Sequence, residues 1–153
     1  MPNCESCERI QQIKEGTNPY VVAELETGYV VLGDHQYFKG YTLFLCKEHV
    51  FELHELNPVF KQKFLAEMAQ VAEAVYLAFK PKKLNYELLG NGDPHLHWHI
   101  FPRHIDDIRL WGVTWNIDAS IRNAEETKPS AEELQSMKEQ LRKHINSPAN
   151  NVV

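Results

Sequence analysis

The segment His95-Leu96-His97-Trp98-His99-Ile100-Phe101 sets the strictest condition on what this chain of 153 residues can fold into. In a strand, successive side chains point to opposite faces, so His95, His97 and His99 share one side while Leu96, Trp98 and Ile100 share the other. Burying the apolar side against a helix fixes the register, because a slip of one residue would send every imidazole into the core. Gly90-Asn91-Gly92-Asp93-Pro94 reads as a tight turn, and Leu84 to Leu89 as the other arm of a hairpin. Pro102 has no N–H for a ladder and is expected to stop the strand.

Tyr20 to Leu25 and Tyr29 to Leu32 are β-rich runs joined by Glu26-Thr27-Gly28, a hairpin connection, and Tyr41 to Cys46 after Gly40 reads as a central strand. Asn57-Pro58 supplies an N-cap and a first-turn proline for the main helix. Its apolar face carries Phe60, Phe64, Met68, Val71, Ala72, Val75 and Phe79, with Lys61, Glu67 and Glu73 elsewhere, and Pro81 ends it. Ser130 and Glu133 form a capping box for a last helix striped by Leu134, Met137, Leu141 and Ile145, and residues 148–153 read as a loose tail. Residues 103–129, including Trp111 and Trp115, show no assignable pattern. The expected class is α+β: one domain over residues 1–153, an antiparallel sheet of about five strands, one long helix packed on it and a C-terminal helix.

A net charge of −5, with no basic cluster beyond pieces such as Lys80-Pro81-Lys82-Lys83, argues against extended nucleic acid as a partner. A small phosphorylated ligand stays open, since imidazoles and backbone N–H groups bind phosphate locally. No apolar stretch approaches the ~20 residues of a membrane helix, and the polar start is unlike a leader peptide. Three cysteines make no disulfide framework, so a reduced, cytoplasmic protein is expected.

Three neighbouring imidazoles can bind a metal or handle phosphate. As a nucleophile, a neutral imidazole attacks phosphorus to give a phosphoramidate, provided its other nitrogen donates a hydrogen bond that fixes the tautomer. The other two can stabilise phosphate charge or protonate the departing oxygen. His35, His54, His104 and His144 stand alone and read as surface or capping groups, and Arg103 as a partner of either a phosphate or an acid.

The pattern of three histidines alternating with hydrophobic residues and closed by two more resembles the signature of the histidine triad (HIT) family. The likeness extends through Gly40-Tyr41-Thr42-Leu43, Lys47-Glu48-His49-Val50, the long helix and the Cys4/Cys7 pair, roughly residues 4 to 104. The resemblance implies a HIT-like fold, a nucleotide hydrolase or transferase without a catalytic cofactor, and a homodimer whose subunits join into one sheet. It implies that His97 attacks the α-phosphate to form a nucleotidyl-histidine, that His99 contacts phosphate or assists the leaving group, and that His95 orients its neighbours. Asp34 would bind the ribose hydroxyls and Asn91 would lie near phosphate. The Gly-Gln-Ser/Thr segment usual before the first histidine is missing, so the substrate cannot be copied from a relative. A dinucleoside polyphosphate, a nucleoside phosphoramidate or an adenylylated compound all remain open.

In relatives with the N-terminal pair, the thiolates are completed by the histidine of the Lys-x-His segment and the first triad histidine. Cys4, Cys7, His49 and His95 would then hold a structural zinc, against the alternative of free thiols on a loose N-terminus. A zinc there would commit His95 and remove it from catalysis. Two rival functions stand beside hydrolysis. One is a zinc-dependent hydrolase using the three triad histidines as ligands, the other a nucleotide-sensing module without turnover.

Overall fold

The computed structural model describes residues 4–145; the tail expected over 148–153 lies outside them. Helix α1 (Glu5–Glu15) is followed by strands β1 (Val21–Glu24), β2 (Gly28–Leu32) and β3 (Thr42–Cys46), the long helix α2 (Pro58–Phe79), strands β4 (Lys83–Glu87) and β5 (His97–Arg103), the single turn α3 (Ala119–Arg122) and helix α4 (Ala131–Ile145). The strands form one sheet in the order β1-β2-β3-β5-β4 with every neighbour antiparallel, the α+β class read from sequence.

The Asn57 side chain accepts the Val59 N–H at the start of α2, and the helix ends on Lys80 in the left-handed region, one residue before Pro81. Phe64, Val71, Ala72 and Val75 share a core with Phe44 and Ile100 of the sheet and with Leu96 just before β5, and Leu134, Met137 and Leu141 of α4 join it. Ser130 and Glu133 exchange the hydrogen bonds of a capping box at 3.2 and 2.8 Å.

Glu67, expected outside the apolar face of α2, is 5% exposed. Its carboxylate accepts the Glu26 N–H at 3.0 Å, the Thr27 N–H at 2.9 Å and the Thr27 hydroxyl. A buried carboxylate is tolerated when its lone pairs are taken up, and here it satisfies the turn between β1 and β2.

Strand β5 begins at His97, two residues later than expected, and runs through Pro102 to Arg103. His95 still belongs to the turn, its N–H donating to Asp93 O at 2.8 Å, and the Leu96 N–H donates to Val50 O outside the ladder. Pro102 is tolerated because alternate residues of a strand direct their backbone groups to opposite neighbours. The Arg103 carbonyl accepts from Lys82 N, so Pro102 faces the β3 side, where pairing has ended with Thr42 opposite Ile100. Gly40, with φ +95°, leads into β3 against Phe79, whose ring lies 2.5 Å from where a Cβ would be.

Arg103 meets an acid and not a phosphate: fully buried, it donates to Asp107 at 2.5 Å, Asn85 at 2.8 Å and the carbonyls of Arg109 and Gly112 at 2.6 and 2.5 Å. This one side chain organises residues 107–112, the first part of the segment that had no readable pattern. Trp111 is 81% exposed and packs in no core.

Candidate functional site

β5 directs His97, His99 and Phe101 to the sheet face opposite α2, while Ile100 and Trp98 pack toward α2. The Nε2 atoms of His97 and His99 lie 3.0 Å apart. His97 Nδ1 is bonded to the His95 carbonyl, which can only accept, so this nitrogen carries the proton and Nε2 holds the lone pair. The Tyr41 hydroxyl lies 2.6 Å from His99 Nδ1. Burial pushes that hydroxyl well above its ordinary titration range, so it stays protonated and donates to Nδ1. His99 then carries its proton on Nε2 and points it at His97. Burial and the neighbouring His97 together push His99 down to about 3, which keeps this ring neutral near pH 7.

The His97/His99 pair opens into a cleft of about 710 Å³ whose walls include Arg9, Asp34, Asn91 and Trp115. The sequence-selected Asp34 and Asn91 thus face the same space as the imidazoles. Trp115 stands edge-on to His99 with ring centres 5.8 Å apart, and its Nε1 donates to Glu87. His35 lies on the same cleft, bonded to Thr127 and Ala124, and His104 is bonded to the Lys39 carbonyl.

His95 belongs to a second centre. Its Nδ1 and that of His49 lie 3.2 Å apart, and the Sγ atoms of Cys4 and Cys7 sit 3.1 to 3.7 Å from these two nitrogens. The four donor atoms all fall within 4.8 Å of one another. Tetrahedral zinc with thiolate and imidazole ligands has ligand–ligand edges of roughly 3.3–3.8 Å, so the set fits such an ion. His95 Nε2 donates to the Cys46 carbonyl at 2.8 Å, which leaves Nδ1 as a lone pair aimed at the thiols. Burial pushes the Cys4 thiol up to about 12, so a cation must displace its proton before sulfur can ligate near neutrality. Because both ring nitrogens of His95 are engaged here, it touches His97 through its backbone carbonyl alone. The three triad imidazoles therefore do not converge as one ligand set.

Besides Tyr41 on His99 and Arg9 in the cleft wall, two features escaped the sequence. α1 itself was one, though Cys4 caps its first turn by accepting the Cys7 N–H and Gly16 ends it at φ 72°. The other was Asp93, whose carboxylate accepts the N–H groups of Glu5 and Ser6 and the Ser6 hydroxyl, tying α1 to the turn before β5. The acidic first turn and Gly16 just after Glu15 were the signals available for the helix.

A five-stranded antiparallel sheet with one long helix on one face and alternating histidines on the other defines a HIT-like protein. The HIT domain family model matches residues 16–106, and the chain belongs to that family. It is 26% identical to "Protein hit" of Bacillus subtilis over 155 residues, covering 95% of this chain and 96% of that protein. A histidine triad protein of Bradyrhizobium japonicum superposes with a TM-score of 0.71 at 23% identity, covering 88% of this chain and 94% of its own. The Plasmodium falciparum diadenosine triphosphate hydrolase superposes with a TM-score of 0.56 at 16% identity, covering 84% and 77%.

Proposed function

We propose that this chain hydrolyses a nucleotide at its α-phosphate through a nucleotidyl-histidine on His97. The observation that carries this reading is the tautomer of His97: with Nδ1–H held by the His95 carbonyl, Nε2 keeps an unprotonated lone pair on the cleft wall, which accepts the His99 Nε2–H until that group turns to the substrate. In the first step that lone pair bonds to the α-phosphorus, and the bond to the leaving group breaks with its electron pair departing. Water then adds to the same phosphorus, releasing the nucleoside monophosphate and restoring His97. His99 turns its Nε2–H from His97 to a phosphoryl oxygen or the leaving atom as charge develops there. Asp34 accepts the ribose hydroxyls and Asn91 lies along the phosphate path. A family relative named for diadenosine triphosphate hydrolysis supports this chemistry, while the substrate range of this chain extends over dinucleoside polyphosphates and nucleoside phosphoramidates.

The Cys4, Cys7, His49 and His95 set is read as a structural zinc site, since four protein ligands leave no open position for water. Its free thiols suit a reducing compartment such as the cytoplasm. Two copies are expected to join along β4.

The test is His97→Ala, which removes the nucleophile and leaves the backbone donors in place. Turnover of a dinucleoside polyphosphate or phosphoramidate should fall at least ~10³-fold, and intact-mass analysis after rapid quenching should show a nucleotide adduct on the wild type alone. Substantial residual turnover in the variant, or no adduct on an active wild type, refutes the covalent route.

A further inference from the structure

The cleft around His97 and His99 is poor in positive charge for a site that receives phosphate. Three carboxylates, Glu5, Asp34 and Asp93, line it, and Arg9 is the one arginine or lysine among the described residues that do. Arg9 reaches in from α1, ahead of the segment 16–106 that the family model matches. Its guanidinium makes a two-pronged contact with Asp34, Nη1 to Oδ1 at 2.7 Å and Nη2 to Oδ2 at 2.9 Å. Nε and Nη2 also donate to Glu5 Oε1 at 3.1 and 2.8 Å. A guanidinium has five N–H groups, of which these contacts use four. The second Nη1–H has no acceptor among the described residues. Asp34, held from behind, keeps lone pairs for further donors.

We propose that Arg9 is the phosphate-binding cation of this cleft, anchored on Asp34 and Glu5 so that its remaining Nη1–H meets a phosphoryl oxygen while Asp34 holds the ribose. This rests on the nucleotide reading above and adds the group that supplies charge. Ribose hydroxyls and α-phosphate lie on one nucleotide unit, so a rigid Arg9–Asp34 pair can grip both without either side chain moving. Arg103 cannot serve, being buried on Asp107, and Arg122 lies over the Trp115 ring with its Nε on a backbone carbonyl. The ion pair also orders Arg9 before ligand arrives, which lowers the entropy lost on binding.

The experiment compares adenosine 5′-monophosphate with adenosine, by calorimetric titration at fixed ionic strength, on wild type, Arg9→Met and Arg9→Lys. Methionine keeps the aliphatic packing of the stem without the charge. Arg9→Met should bind the monophosphate roughly 10- to 100-fold more weakly, with a clearly smaller loss for the uncharged nucleoside, which feels only the loosening of Asp34. Arg9→Lys, which keeps a cation for Asp34 and Glu5 and so preserves the fold if methionine does not, should show a smaller loss confined to the monophosphate. Equal losses for both ligands would make Arg9 a mere support for Asp34 and overturn the assignment, as would unchanged binding of the monophosphate. A wild-type chain that binds neither ligand overturns the nucleotide reading as well, whereas wild-type binding with an indifferent Arg9→Met overturns only the role of Arg9.

Discussion

The imidazole of His99 is held neutral by its surroundings and given its tautomer by Tyr41. Burial disfavours the imidazolium first, the nearby His97 second, and the resulting pKa of about 3 lies below the ordinary value of 6.5. The unfolded chain therefore takes up a proton at His99 that the folded chain refuses. Stability from this residue is whole above about pH 6.5 and is lost as pH falls from there toward 3. Between pH 6.5 and 5.5 the loss should be about 1 kcal/mol. In His99→Asn, which keeps a polar group without titrating, the same interval should cost correspondingly less. Urea unfolding at both pH values checks this, and parallel acid losses in the two proteins would contradict it. The triad was legible at this scale because a two-residue period depends on nothing beyond the segment itself. The resemblance already tied His95 to His49, Cys4 and Cys7, which lie 46 and 88 to 91 residues away in sequence; what the sequence could not tell is that its Nε2 is taken up by the Cys46 carbonyl, 49 residues away, a contact that only the fold brings about.

At the scale of elements, α1 is tied down at its first turn by groups from elsewhere in the chain. Asp93 accepts three hydrogen bonds there, and Cys4 and Cys7 place their sulfurs on His49 and His95. Farther along, Ile10 packs on Tyr29, Val31 and Leu45. If the thiols hold zinc, purified protein should carry about one ion per chain, and stripping it with a chelator should lower the melting temperature by roughly 5–10 °C, the shift expected for a loss of about 3 kcal/mol in a domain of this size. Limited proteolysis should then open cleavage sites within 5–15, and re-addition of zinc should close them. Equal melting of stripped and loaded protein would leave the cysteines as plain thiols. Helix α2 and the strands could be read from their caps, prolines and periodicity, which are local signals. α1 was missed because it is short and polar outside Ile10 and Ile13. Glu67 was misplaced because its partners, Glu26 and Thr27, lie some forty residues earlier, and a polar residue on a helix reads as solvent-facing unless the buried turn it serves is known.

Over the whole molecule, the sheet has one closed edge and one open one. Beside β1, Arg142 of α4 donates to the Val22 carbonyl at 2.7 Å, and Lys138 donates to the Pro19 carbonyl at 2.8 Å. β4 has no strand beyond it among the described residues. An unpaired edge strand is a template for another strand, and a two-fold axis lets β4 pair with its own copy. Tyr86 of β4 lies opposite Ile100, hence on the α2 face, and is 51% exposed; Tyr76 of α2 is also exposed. Tyr86 supplies apolar surface on the edge strand itself, which backbone pairing alone lacks, and Tyr76 adds an exposed aromatic on the helix that covers the same face. Sedimentation should give a dimer across micromolar concentrations. Because each residue near a two-fold axis meets its own copy, Tyr76→Lys with Tyr86→Lys brings like charges together and should yield monomers whose circular dichroism is unchanged. A monomeric wild type, or a double variant that still dimerises, would show that β4 is not the joining edge.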